Sequence, residues 1–109
     1  MIKKDSVEIE FIKKVAGIIK EKFNPQKVIL FGSYAYGNPD KKSDIDFLII
    51  MNTKLKFYKQ ASLIRLTLDE VFGVFYPIDI IVRTPEFVEK RIKEGDIFTK
   101  SITEKGIEL

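Results

Sequence analysis

Three short apolar runs rich in branched residues, set apart by segments of helical period, constrain this chain more than any other feature. They are Lys27–Phe31, Asp44–Met51 and Pro77–Val82, each of strand length and each bounded by turn residues. Before the first, Asp5 and Glu8 have capping-box spacing, and Phe11, Ile12, Val15, Ile18, Ile19 and Phe23 recur as on one helix face until Asn24-Pro25 stops the run. Leu55, Tyr58, Ala61, Ile64, Leu68, Val71 and Phe72 predict a longer helix within Thr53–Phe72, with Gly73 placed to end it. Thr84-Pro85 reads as an N-cap with proline at the first helical position, opening a helix that Gly95 closes. A last short helix runs from about Asp96 to Lys105, and the tail from Gly106 to Leu109 is expected to add an edge strand. At 109 residues a split would leave two pieces too small to bury a core, so residues 1–109 are read as one α/β (α+β) domain.

What the chain lacks narrows its chemistry. It has no cysteine and no histidine, which removes disulfides, thiolate zinc sites and imidazole bases together. No apolar run approaches the length of a membrane span, and Met1 to Ser6 leads into a charged amphipathic pattern, so no membrane association and a cytoplasmic location are expected. The formal charge of +3 is compatible with an anionic substrate, but it is too scattered to predict direct nucleic-acid binding. Any catalysis must rest on carboxylates, hydroxyls, lysines and metal ions.

The informative stretch runs from Gly32-Ser33 through the polar loop Gly37–Ser43 to Asp44-Ile45-Asp46. Side chains two apart on a strand share a face, so Asp44 and Asp46 project together. Like charges held side by side repel and are costly to desolvate, and a cation offsets them. Mg²⁺ is the natural counter-ion, because it takes oxygen ligands and bridges carboxylates to substrate phosphates. Asp79 interrupts the otherwise apolar third run and must face something polar. If the third strand lies beside the second, Asp79 completes a three-carboxylate cluster and can also take the proton of an acceptor hydroxyl. Gly32, lacking a side chain, lets phosphate approach the backbone, and the Ser33 hydroxyl can bind phosphate oxygens. The basic positions Lys54, Lys56, Lys59 and Arg65 are read first as a solvated helix face.

Gly32-Ser33, ten intervening residues, then Asp-x-Asp on an apolar strand with a later strand acid, resembles the DNA polymerase β-like nucleotidyltransferases, above all their minimal single-domain members. The resemblance spans nearly the whole chain. It implies a small nucleotidyltransferase fold, with a mixed, twisted sheet carrying the acids on one face and helices packed on the other. It implies that Gly32 and Ser33 bind the nucleotide, that Asp44, Asp46 and Asp79 are both catalytic and Mg²⁺ ligands, and that AMP passes from ATP to a hydroxyl acceptor. Many such minimal proteins are antitoxins paired with a HEPN-domain ribonuclease toxin, and some adenylylate a tyrosine of that toxin. The expected partners are therefore ATP and a HEPN toxin, in a homo- or hetero-oligomer. Two other readings are a non-catalytic antitoxin that acts by binding and a small-molecule nucleotidyltransferase of the aminoglycoside-modifying kind. One departure stands out: many members carry an arginine where this chain has Tyr36.

Overall fold

The computed structural model describes residues 2–37, 39, 43–74 and 76–109, with side chains from residue 9 onward. In chain order the elements are α1 (Ile2–Phe23), β1 (Lys27–Phe31), α2 (Ser33–Tyr36), β2 (Ile45–Ile50), α3 (Phe57–Phe72), β3 (Ile78–Arg83), α4 (Pro85–Lys93), α5 (Ile97–Lys105) and β4 (Ile107–Glu108). The four strands form one mixed sheet in the order β3-β2-β1-β4. β1 runs antiparallel to β2 and β4, whereas β2 and β3 are parallel, joined by α3 as the crossover.

Strand pairing sorts the side chains onto two faces. Val28 and Leu30 of β1, with Ile45, Phe47 and Ile49 of β2 and Ile78 and Val82 of β3, face one way. They pack against Ile12, Val15, Ala16 and Ile19 of α1 and Ile64 and Leu68 of α3. Phe47 is fully buried here. Burying such a ring contributes ~1.5–3 kcal/mol, a sizeable share of the roughly 5–15 kcal/mol that holds a domain together. The opposite face carries Ile29 and Phe31 of β1, then Leu48 and Ile50 of β2, covered by Val88 of α4 and Ile102 of α5. The mixed sheet and the alternating order agree with expectation, but the helices lie on both faces. β2 shows why: apart from Asp46 it is buried at every position, so apolar side chains must be covered on each side.

Element ends also differ in places. α1 starts at Ile2, so Asp5 stands inside the helix and not at its cap. Nothing between Ile2 and Asp5 breaks a helix, and propensity carries the first turn upstream. α3 begins at Phe57 because Thr53 is used locally: its hydroxyl accepts from the Leu55 amide at 3.1 Å and donates to Gln60 Oε1 at 2.8 Å. Thr84 and Asp96 act as N-caps, accepting from the Phe87 and Thr99 amides. Gly106 lets the tail close onto the sheet, since a Cβ there would lie 2.5 Å from both the Ile102 carbonyl and an Ile29 methyl. β4 then pairs with Ile29 and Leu30 as the expected edge strand. The loop between Gly37 and Ser43 lies mostly outside the described residues. Among the described residues no helix is long and apolar enough to cross a membrane.

Candidate functional site

The site forms where β1 ends and β2 and β3 begin. Because β1 is antiparallel to β2, its last residue, Phe31, pairs with Asp46, and the turn that follows stands beside the Asp-x-Asp pair. Because β3 is parallel to β2, its second residue, Asp79, pairs with Asp46 in turn. Adjacent strands lie about 4.8 Å apart, so this register sets the two carboxylates side by side on the face that also carries Leu48, Ile81 and Arg83. Asp44 precedes β2 by one residue. Asp44 and Asp79 are exposed, while Asp46 between them is half-buried.

Burial and two like charges act on Asp46 together. Its carboxyl is pushed up from 3.8 to about 6, first by desolvation, then by Asp79, then by Asp44. The three expected acids are therefore brought into one electrostatic group. Among the described residues no three acidic groups are closed into a ready-made metal cage. The donor set nevertheless suits a hard cation: every candidate ligand is an oxygen, and the central carboxylate is disfavoured as an anion by burial and by two like-charged neighbours.

Gly32 serves the site in a way its sequence context did not disclose. It has φ +75, a left-handed conformation that favours glycine, and a Cβ added there would lie 2.1 Å from Asp46 Oδ2. The space beside this glycine thus belongs to the Asp46 carboxylate. The Gly32 carbonyl accepts from the Ala35 and Tyr36 amides at 3.0 and 3.1 Å, which winds the short helix α2 directly after the turn. Ser33 is the first residue of α2 and is half-buried, and Tyr36 at its other end is exposed. All five expected residues, Gly32, Ser33, Asp44, Asp46 and Asp79, thus cluster at one end of the sheet.

Arg65 is the residue that sequence reasoning misplaced. Instead of a solvated helix face, its guanidinium donates to the carbonyl oxygens of Ile78 and, at 3.1 Å, Tyr76, while Nε holds Asp69 at 3.1 Å. It therefore anchors the start of β3 on both sides of Pro77, one residue before Asp79. The only sequence signal was Asp69 four residues later, which predicts a helix ion pair and not a tie to a strand.

Comparison with known proteins agrees with this geometry. Residues 12–108 match the family described as "Nucleotidyltransferase domain". Similar proteins include three from Methanocaldococcus jannaschii, all named "Putative protein adenylyltransferase". MJ0141 is 32% identical over 100 residues, which is 92% of each chain. MJ0604 is 33% identical over 101 residues, covering 91% of this chain and 94% of its own, and MJ1217 is 31% identical over 97 residues, covering 82% and 91%. The matched region runs from α1 to β4 and takes in the glycine turn, both acidic strands and Arg65, so it is on the whole fold, and not on a single motif, that this chain belongs to the nucleotidyltransferase-domain family.

Proposed function

We propose that this protein transfers AMP from ATP to a hydroxyl group of a protein acceptor. The observation that carries the reading is the pairing of Asp46 with Asp79 across β2 and β3, with Asp44 beside them and Gly32 under the Asp46 carboxylate. Three carboxylates beside the Gly32-Ser33 turn are poorly suited to an anionic substrate unless a cation joins them. Asp44, Asp46 and Asp79 would hold Mg²⁺, which supplies charge neutralisation for a bound triphosphate.

The chain's own groups account for the remaining work. Gly32 leaves room for Asp46 to stand over the turn, and the Ser33 hydroxyl binds a phosphate oxygen. Asp79, exposed at the edge strand, is open to an incoming acceptor and takes its proton. The acceptor oxygen forms a bond to the α-phosphorus as the bond to the bridging oxygen breaks, and pyrophosphate leaves. Catalysis on this scheme comes mainly from positioning and charge compensation.

A protein acceptor is favoured by the names of the relatives and by the size of the chain, which has little surface for enclosing a second large substrate. We assign the acceptor role to a HEPN-type toxin, with this protein as its antitoxin, on the resemblance to minimal nucleotidyltransferases. Exposed Tyr58, Leu63 and Leu66 on α3 suit a protein contact. The test is transfer of label from α-labelled ATP in Mg²⁺, with host lysate and a candidate toxin supplied, by the wild type and by Asp44→Asn/Asp46→Asn. Label on one protein with the wild type alone is the expected result. Equal toxin neutralisation by both forms, with no label transferred, would replace catalysis by neutralisation through binding.

A further inference from the structure

The carboxylates occupy only one end of the acid-bearing face. Two residues farther along each strand, about 6.6 Å on by strand rise, Leu48 and Ile81 form the floor of a cavity of about 230 Å³. α4 and α5 wall it, contributing Phe87 and Phe98, and Arg83 from β3 stands at its edge. The cavity lies next to the carboxylates along the same face, because Asp46 and Leu48 share a face of β2 as Asp79 and Ile81 share one of β3.

We propose that this cavity receives the base of the nucleoside triphosphate, with Phe98 and Arg83 as the residues that hold it. The inference rests on the nucleotidyl-transfer reading of the adjacent acids and adds to it the place of the nucleoside. Size fits first: the space suits a planar heteroaromatic ring but not a whole nucleotide, so ribose and phosphates lie outside it, toward the acids, one sugar's span away. The chemistry of the walls fits second. A base needs apolar surface for its faces and a donor for its edge, and the cavity offers Leu48 and Ile81 below, two rings at the sides and a guanidinium.

The Phe98 ring is also open. Phe98 is 56% exposed and touches Phe31 only edge-on, so one ring face is left uncovered beside the cavity. Arg83 is held ready by its surroundings: it lies over the Phe57 and Phe87 rings at 5.0 and 5.6 Å and donates to the Val82 carbonyl at 2.7 Å. Among the described residues no carboxylate forms an ion pair with it. The neighbouring Arg91 is already engaged by Glu94 at 3.7 Å and Asp96 at 3.5 Å, so of the two cations among the described residues lining the cavity Arg83 is the one left for a ligand.

Calorimetric titration in Mg²⁺ buffer at 150 mM salt tests this with two ligands, ATP and inorganic tripolyphosphate, on the full chain. For Phe98→Ala and for Arg83→Met, ATP affinity should fall at least tenfold while tripolyphosphate affinity stays within twofold. Ile81→Phe, which fills the cavity from its floor, should give the same split, and its circular dichroism must match the wild type. Equal losses for both ligands would assign Arg83 to phosphate and overturn the base subsite, as would unchanged ATP affinity in all three variants. Binding of neither ligand by the wild type would instead bring down the nucleotidyl-transfer reading, and the subsite with it.

Discussion

Replacing Asp46 by Asn should make the metal-free protein more stable, although it removes a central acid of the site. In the folded chain the Asp46 carboxyl binds its proton up to about pH 6, whereas in the unfolded chain it lets go near 3.8. Between those values the folded state holds more protons than the unfolded one, so stability falls as pH rises through this window. The step corresponds to at most about 3 kcal/mol, which solvent screening at a half-open site reduces to about 1–2 kcal/mol. Asn has nearly the same shape and fits beside Gly32 without the charge. At pH 7 in EDTA the variant should therefore gain about 1–2 kcal/mol, or roughly 5–10 °C in Tm for a domain of this size. At pH 4 most of the gain should vanish, because the folded wild type is then almost fully protonated at this group while the unfolded chain is close to its midpoint. Thermal unfolding followed by circular dichroism from pH 4 to 7.5 measures both. A variant that is less stable at pH 7, or one whose gain is the same at pH 4, would refute the claim that burial, with repulsion from Asp79 and Asp44, disfavours the Asp46 charge in the folded chain.

Gly32→Ala should cost about 1–3 kcal/mol from the positive-φ backbone alone. It should also abolish label transfer, because the new methyl overlaps Asp46 Oδ2; transfer that survived with Asp46 intact would separate the turn from the site. Arg65→Ala removes charged hydrogen bonds to the Ile78 and Tyr76 carbonyls and should cost about 2–3 kcal/mol. Amide hydrogen exchange should then quicken at the start of β3 well before it does in β1, and uniform quickening would deny Arg65 a local anchoring role.

Much of this molecule can be read along the chain. β1 occupies its expected residues because Lys27–Phe31 is a branched apolar run closed by Gly32, the Thr84-Pro85 cap opens α4 as anticipated, and α5 follows from near Asp96 to Lys105. Those signals are local: a cap, a breaker or a period acts within one or two turns, so it needs no knowledge of the rest of the fold. The candidate residues Gly32-Ser33 and Asp44-x-Asp46 could be picked out together for a related reason, since they flank a single loop.

What the sequence could not determine was everything that depends on which strand lies beside which. Asp79 joins Asp46 only because β3 runs parallel to β2 in that register, and a slip of one residue would turn it to the opposite face. The covering of both faces follows from β2 lying inside the sheet, which no run of residues states by itself. Arg65 passes for a surface charge until the carbonyls of Tyr76 and Ile78 are brought to it from more than ten residues away. Gly32 could be read as a turn glycine from its place in the chain, but the carboxylate that fills the space beside it comes from a neighbouring strand. Sequence by itself determined the elements and the chemical groups available, because these are set by near neighbours. Tertiary structure decided which groups meet and how their charges act on one another, because pairing register and shared burial are properties of contacts between distant segments.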